Sequence, residues 1–131
     1  MKSLQDYIKD EQTALFKKYG VFFAFSVKQY KNAAVEGTQY VSAGSGMFCP
    51  ADNEEALYED LKNLYEKGIT QDLAENGKEA IIRRELSNYE CQLTGDVTNA
   101  YEALEDYGIT FEEVQEGYVS YHRECVENGW F

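Results

Sequence analysis

From the N-terminus, the apolar side chains Leu4, Tyr7, Ile8, Leu15 and Tyr19 fall near one face of a helix, the spacing of an amphipathic α-helix. Ser3 can accept the free N–H groups at its start, and Gly20 can end it in a left-handed conformation. Val21 to Phe25 then reads VFFAF, an aromatic run with a β-branched start that predicts a buried strand. Ser26 predicts the cap of a short helix through about Val35, and EGTQ (36–39) turns the chain. QYVSA (39–43) and MFCP (47–50) flank Gly44-Ser45-Gly46. Glycine takes the positive φ of a tight hairpin, and serine is a common turn neighbour. Residues 21–25, 39–43 and 46–49 therefore predict a three-stranded, mostly antiparallel sheet. Pro50 cannot donate a ladder hydrogen bond and helps to end its last strand.

Beyond Pro50 the period becomes helical. Asp52 and Glu55 have the spacing of a capping box, and Leu57, Leu61, Leu64 and Tyr65 follow on one side. Gly68 is expected to end that helix. Thr70 to Glu75 adds a turn or two, stopped at Asn76-Gly77, and Lys78 to about Asn88 turns Ile81, Ile82 and Leu86 inward. Thr94-Gly95-Asp96 opens a helix with Val97, Ala100, Tyr101 and Leu104 on one side, and Gly108 breaks it. Thr110 and Glu113 form the clearest capping box of the chain. The last helix presents Phe111, Val114, Tyr118, Tyr121 or His122, and Cys125, and frays near Asn128-Gly129. The fold class is α+β: a small three-stranded sheet (residues ~21–49) packed against a helical C-terminal portion. A chain of 131 residues buries roughly two-thirds of its unfolded surface, so a single domain over 1–131 needs no metal or disulfide. Within it, residues 1–50 give one helix plus the sheet, and 51–131 the acidic helical portion.

Charge changes this picture most. The chain carries a net charge of −12. Residues 1–50 hold six basic and four acidic side chains, whereas the remainder holds six basic and twenty acidic ones. No Lys or Arg occurs between Arg84 and Arg123. Such a chain repels nucleic acid and attracts basic partners. The plainer reading is that acidic helices keep a protein soluble.

No stretch approaches the roughly 20 apolar residues of a membrane span. The opening MKSLQDYIKD lacks the apolar run of a signal peptide. Three widely spaced cysteines, Cys49, Cys91 and Cys125, suit buried thiols in a reducing compartment. The expectation is a cytoplasmic protein without membrane contact.

The glycine loop invites a nucleotide, since a strand, a Gly-rich loop and a helix also begin a phosphate cradle. The Walker pattern needs a lysine to neutralise phosphate and a hydroxyl to hold magnesium. Here Gly46 is followed by Met47 and Phe48, and Asp52, Glu54 and Glu55 would repel the phosphate. A tight turn is the better reading. With no C-x-x-C pair and a single histidine, no metal site is expected. His122 and Cys125 lie three apart on a helix, but neighbouring carboxylates disfavour a thiolate. No catalytic residue, metal or cofactor is therefore expected, and the chain reads as non-enzymatic.

Residues 96–107 and 110–127 have helix-turn-helix spacing, yet a recognition helix needs cations to meet phosphates. This stretch answers nine carboxylates with Arg123 alone, so direct nucleic-acid binding is not expected. The same acids suggest the opposite role. Glu102 to Asp106 and Glu112 to Glu116 are i, i+4 pairs, about 6 Å apart along a helix axis, on the scale of backbone phosphate spacing. The candidate binding face is Glu102, Glu105, Asp106, Glu112, Glu113 and Glu116, with Tyr101 and Tyr107 as aromatic anchors. Its partner would be a basic surface of another protein, such as a nucleic-acid-binding effector. A second candidate is the sheet face, where Phe22, Tyr40 and Phe48, with Lys28 and Lys31 nearby, could hold a signalling nucleotide.

GVFFAFSVKQY (20–30), YVSAGSGMFCP (40–50), GKEAIIRRELSNYECQLTGD (77–96) and ALEDYGITFEEV (103–114) resemble a family of uncharacterised small acidic proteins of phages, prophages and mobile elements of gut bacteria. The resemblance spans most of the chain and carries no catalytic motif. What it implies is a setting: a bacterial cytoplasm, a mobile element, and a role against host defence of the anti-CRISPR or anti-restriction type, which makes the partner's basic surface that of a host protein.

Overall fold

The computed structural model describes residues 1–130. The fold is α+β, with seven α-helices and one three-stranded antiparallel sheet among the described residues. The chain forms two compact units, Lys2–Gly68 and the residues from Ile69 on. The boundary falls inside a helix.

The first unit opens with α1 (Leu4–Tyr19), whose capping box is complete: Asp6 N–H donates to Ser3 Oγ, and Ser3 N–H to the Asp6 carboxylate. Gly20 closes the helix at φ 73°. β1 (Phe22–Phe23), β2 (Tyr40–Ser42) and β3 (Met47–Pro50) form the sheet in the order β1-β3-β2. Phe22 stands opposite Phe48, and Val41 opposite Cys49. The Gly44-Ser45-Gly46 segment is the tight turn between β2 and β3, all three residues having positive φ. It is closed by Met47 N–H on Gly44 O at 2.9 Å. Successive strand residues face opposite sides. Cys49 joins Leu57 and Leu61 in the core, packed by Leu15, Phe16, Tyr19, Val21 and Val41. Phe48 faces the other way, against the rings of Phe22 and Tyr30 with centroids 5.6 and 5.0 Å away, and Tyr40 packs in turn against Phe22 and Tyr30. Tyr30 comes from α2 (Val27–Ala33), capped by Ser26 as the sequence predicts.

Three local expectations change. β1 is two residues long, and Phe25 is 76% exposed instead of lying in a buried strand. Asp52 lies within a 3-10 turn, Ala51–Asn53, that leads into α3. Gly68 does not end α3, which runs from Glu54 to Asn76. A Cβ at Gly68 would lie 2.5 Å from Ile8 Cγ2, so this glycine serves the close approach of α1 and α3.

The second unit holds the end of α3, then α4 (Lys78–Asn88), α5 (Cys91–Thr94), α6 (Thr98–Leu104), a 3-10 turn (Glu105–Tyr107) and α7 (Phe111–Asn128). α4 packs against α6 and α7. Ile81, Leu86, Ala100, Leu104, Val114 and Cys125 are fully buried there, as the helical spacing predicts, whereas Phe111, expected on the same face of the last helix, is exposed and Tyr101 and Tyr118 are half-buried.

Candidate functional site

The acidic stretch is built on α6, the 3-10 turn and α7. Gly108, at φ 73°, ends the turn. Thr110 Oγ1 then accepts from Glu113 N–H at 3.2 Å, while Glu113 Oε1 accepts from Thr110 N–H at 3.1 Å. The capping box is thus present as expected. Its carboxylate also pairs with Lys78 Nζ at 2.8 Å. The Lys78 ammonium, followed by the Thr110 backbone, holds the Glu113 pKa below the ordinary glutamate range.

Two of the unit's three other cations are committed in the same way, while Arg123 on α7 is exposed. Arg83 pairs with Glu124 and donates to Ser120 Oγ at 3.1 Å. Arg84 is bidentate to Asp72, at 3.0 and 2.9 Å, and reaches Glu85 at 3.0 Å. Residues 69–131 carry fourteen acidic and four basic side chains. With Lys78, Arg83 and Arg84 engaged, Glu102, Glu105, Asp106, Glu112 and Glu116 are exposed, and none of them has a cation within ion-pair distance among the described residues.

Glu112 and Glu116 lie one turn apart on α7. Glu102 and Asp106 are not a pair on one α-helix, because α6 ends at Leu104 and Asp106 belongs to the 3-10 turn. The rise there is about 2 Å per residue, not 1.5 Å. Tyr101 is half-buried, edge-on to the exposed Phe111 ring with centroids 5.3 Å apart. Tyr107 is in the interior, 9% exposed, and its hydroxyl donates to Asp72 Oδ2 at 2.5 Å. A ring held inward in this way is not available as a surface anchor.

Asp72 itself is fully buried and escaped the sequence reading, being one carboxylate among twenty-four. Burial pushes its pKa up, but hydrogen bonds from Arg84, Tyr107 and Asn76 outweigh this and hold it below the ordinary aspartate range. The Tyr107 hydroxyl is pushed up, first by burial and then by Asp72. This network joins α3, α4 and the 3-10 turn.

Two concave regions border these features. One lies between α4 and α7, with a volume of about 350 Å³. The other, about 480 Å³, lies beside α2 and is lined by Phe25, Val27, Tyr30 and Phe48. Of the rings expected on a binding face, Phe22 packs against Phe48, Tyr30 and Tyr40, and Tyr40 against Phe22 and Tyr30. All three cysteines are buried. Burial raises the thiol pKa of Cys49 and Cys91, which keeps both protonated at neutral pH. His122 lies against the Tyr118 ring, centroids 5.4 Å apart. Among the described residues no group of three or more His, Cys, Asp or Glu side chains is placed to hold a metal ion. Nor is any helix long and apolar enough to cross a membrane.

No curated protein and no solved structure matches the chain. A family model does match, over residues 4–124. The chain belongs to that family, DUF7659, a family of unknown function.

Proposed function

We propose that the chain is a non-enzymatic binding protein that engages a basic protein surface through the exposed acids of residues 102–116. The observation that supports this is the way the local cations are used. Lys78, Arg83 and Arg84 are consumed by ion pairs within the unit, and five carboxylates are left exposed without a counter-charge. A cationic partner would supply it, and complementary potential favours encounter and orientation. Nucleic acid would be repelled by the same charges.

The finer reading, carried by the resemblance to proteins of phages and mobile elements, is an inhibitor of a host defence protein in a bacterial cytoplasm. Its target would be a nucleic-acid-binding effector, such as a nuclease of a restriction or CRISPR system. On this reading Glu112 and Glu116 stand in for phosphates along α7. The test is affinity capture from bacterial lysate at low and high salt, comparing wild type with a variant in which Glu102, Glu105, Asp106, Glu112 and Glu116 are amides. A partner held only by wild type, and only at low salt, supports the reading. Identical capture by both proteins at both salts overturns it.

A second reading is sequestration of a small ligand such as a signalling nucleotide, favoured by the concavity that Tyr30 and Phe48 line beside the exposed Phe25. A rise in melting temperature with a nucleotide, abolished by Phe48→Ala, would move the assignment there.

A further inference from the structure

We infer that the groove between α4 and α7 is a subsite for one arginine side chain of the basic partner; this rests on the acidic-face reading and adds the contact that anchors the partner. The groove holds about 350 Å³, near the lower end of the ~300–1,000 Å³ typical of ligand pockets. That suits a side chain better than a cofactor.

Its apolar part is Ile82 and Gly117. Gly117 sits in the middle of α7, where glycine costs about 1 kcal/mol relative to alanine. An added Cβ would lie 2.7 Å from Ile82 Cγ2, so the glycine permits the close approach of α4 and α7. A long side chain can lay its methylene stem on such a floor and keep its charged head in water.

The rim sets the sign of that head. Both of its cations are engaged, Lys78 with Glu113 and Arg83 with Glu124. Glu79 on α4 and Glu116 on α7 also line the groove, and neither has a cation within ion-pair distance among the described residues. An anionic occupant would meet two uncompensated carboxylates, and a neutral one would leave them unanswered. Arginine answers both surfaces, because its planar fork presents five donors that can meet carboxylates from more than one side. Glu116 belongs to the exposed acids as well as to the groove, one turn beyond Glu112, so a partner lying along that face reaches the groove.

The test is a titration of the full-length, nitrogen-15-labelled chain with a capped nona-arginine peptide, read by amide resonances. The expected result is movement of Ile82, Gly117 and Ser120 together with residues 102–116. In the Glu79→Gln/Glu116→Gln variant the first three should stay still and affinity should fall about tenfold. Binding that moves residues 102–112 but not Ile82, Gly117 and Ser120 overturns the groove and leaves the acidic face standing. Absence of binding at low salt overturns both. Groove shifts that survive in the double variant overturn the charge assignment, and the inference with it.

Discussion

Lys78 Nζ lies 2.8 Å from Glu113 Oε2, and the same carboxylate closes the Thr110 capping box. One side chain therefore fixes the start of α7 and ties it to the start of α4. The Glu113 pKa is depressed, by Lys78 first and then by Thr110. A depressed carboxylate stabilises the fold fully above its unfolded value, about 4.3, and loses that contribution as pH falls through the folded value. Glutamine can still cap, so Glu113→Gln removes mainly the charge. The variant should melt below wild type at neutral pH, and the gap should close on acidification below about pH 4. Circular dichroism melts across pH check this; a gap that does not change with pH would contradict it.

The Asp72–Arg84 pair makes a larger demand. With Asp72 fully buried, Arg84→Met leaves a carboxylate without its bidentate partner, and breaking a buried pair on one side costs about 3–5 kcal/mol. Tyr107→Phe removes one hydrogen bond from the same oxygen and should cost about 1–3 kcal/mol. Urea unfolding separates the two. A loss below about 1 kcal/mol for Arg84→Met would mean that the network is not stabilising.

Gly68 offers a test of helix contact. Alanine in an exposed helix interior gains about 1 kcal/mol over glycine. Here its Cβ would meet Ile8 Cγ2 at 2.5 Å, so Gly68→Ala should destabilise by about 1–3 kcal/mol through overpacking. Ile8→Ala clears that space, and the double variant should lose less than the sum of the two single losses. Simple additivity would count against the contact.

What could be read from the sequence follows the range of the interactions. The caps at Ser3, Ser26 and Thr110 and the Gly44-Ser45-Gly46 turn depend on residues a few positions apart, and each is where the local pattern puts it. Gly68 misleads because its reason is Ile8, sixty residues earlier. Tyr107 misleads likewise, since its partner Asp72 is distant and looks like any other acid. The exposed acids of 102–116 were legible from charge alone. That Glu113 is committed, and that nearby cations are withdrawn by ion pairs, required the helices to be brought together.

On the proposed reading of the acids as phosphate mimics, the two acidic pairs should differ. α7 carries Glu112 and Glu116 on one regular helix, whereas Glu102 and Asp106 straddle the end of α6. Removing the α7 pair as Glu112→Gln/Glu116→Gln should therefore weaken a nucleic-acid-binding partner more than Glu102→Gln/Asp106→Asn. Competition with duplex DNA for a captured partner measures the difference. Equal losses would leave a charged face without phosphate mimicry.

The most direct measurement is the affinity of a fluorescent arginine-rich peptide for wild type and for the five-amide variant at Glu102, Glu105, Asp106, Glu112 and Glu116. Anisotropy should show wild-type binding that weakens steeply from about 0.05 to about 0.5 M salt, as screening shortens the reach of exposed charges, and little binding by the variant at either. Equal affinities for the two proteins, or binding indifferent to salt, would contradict the claim that these carboxylates are a partner's counter-charge.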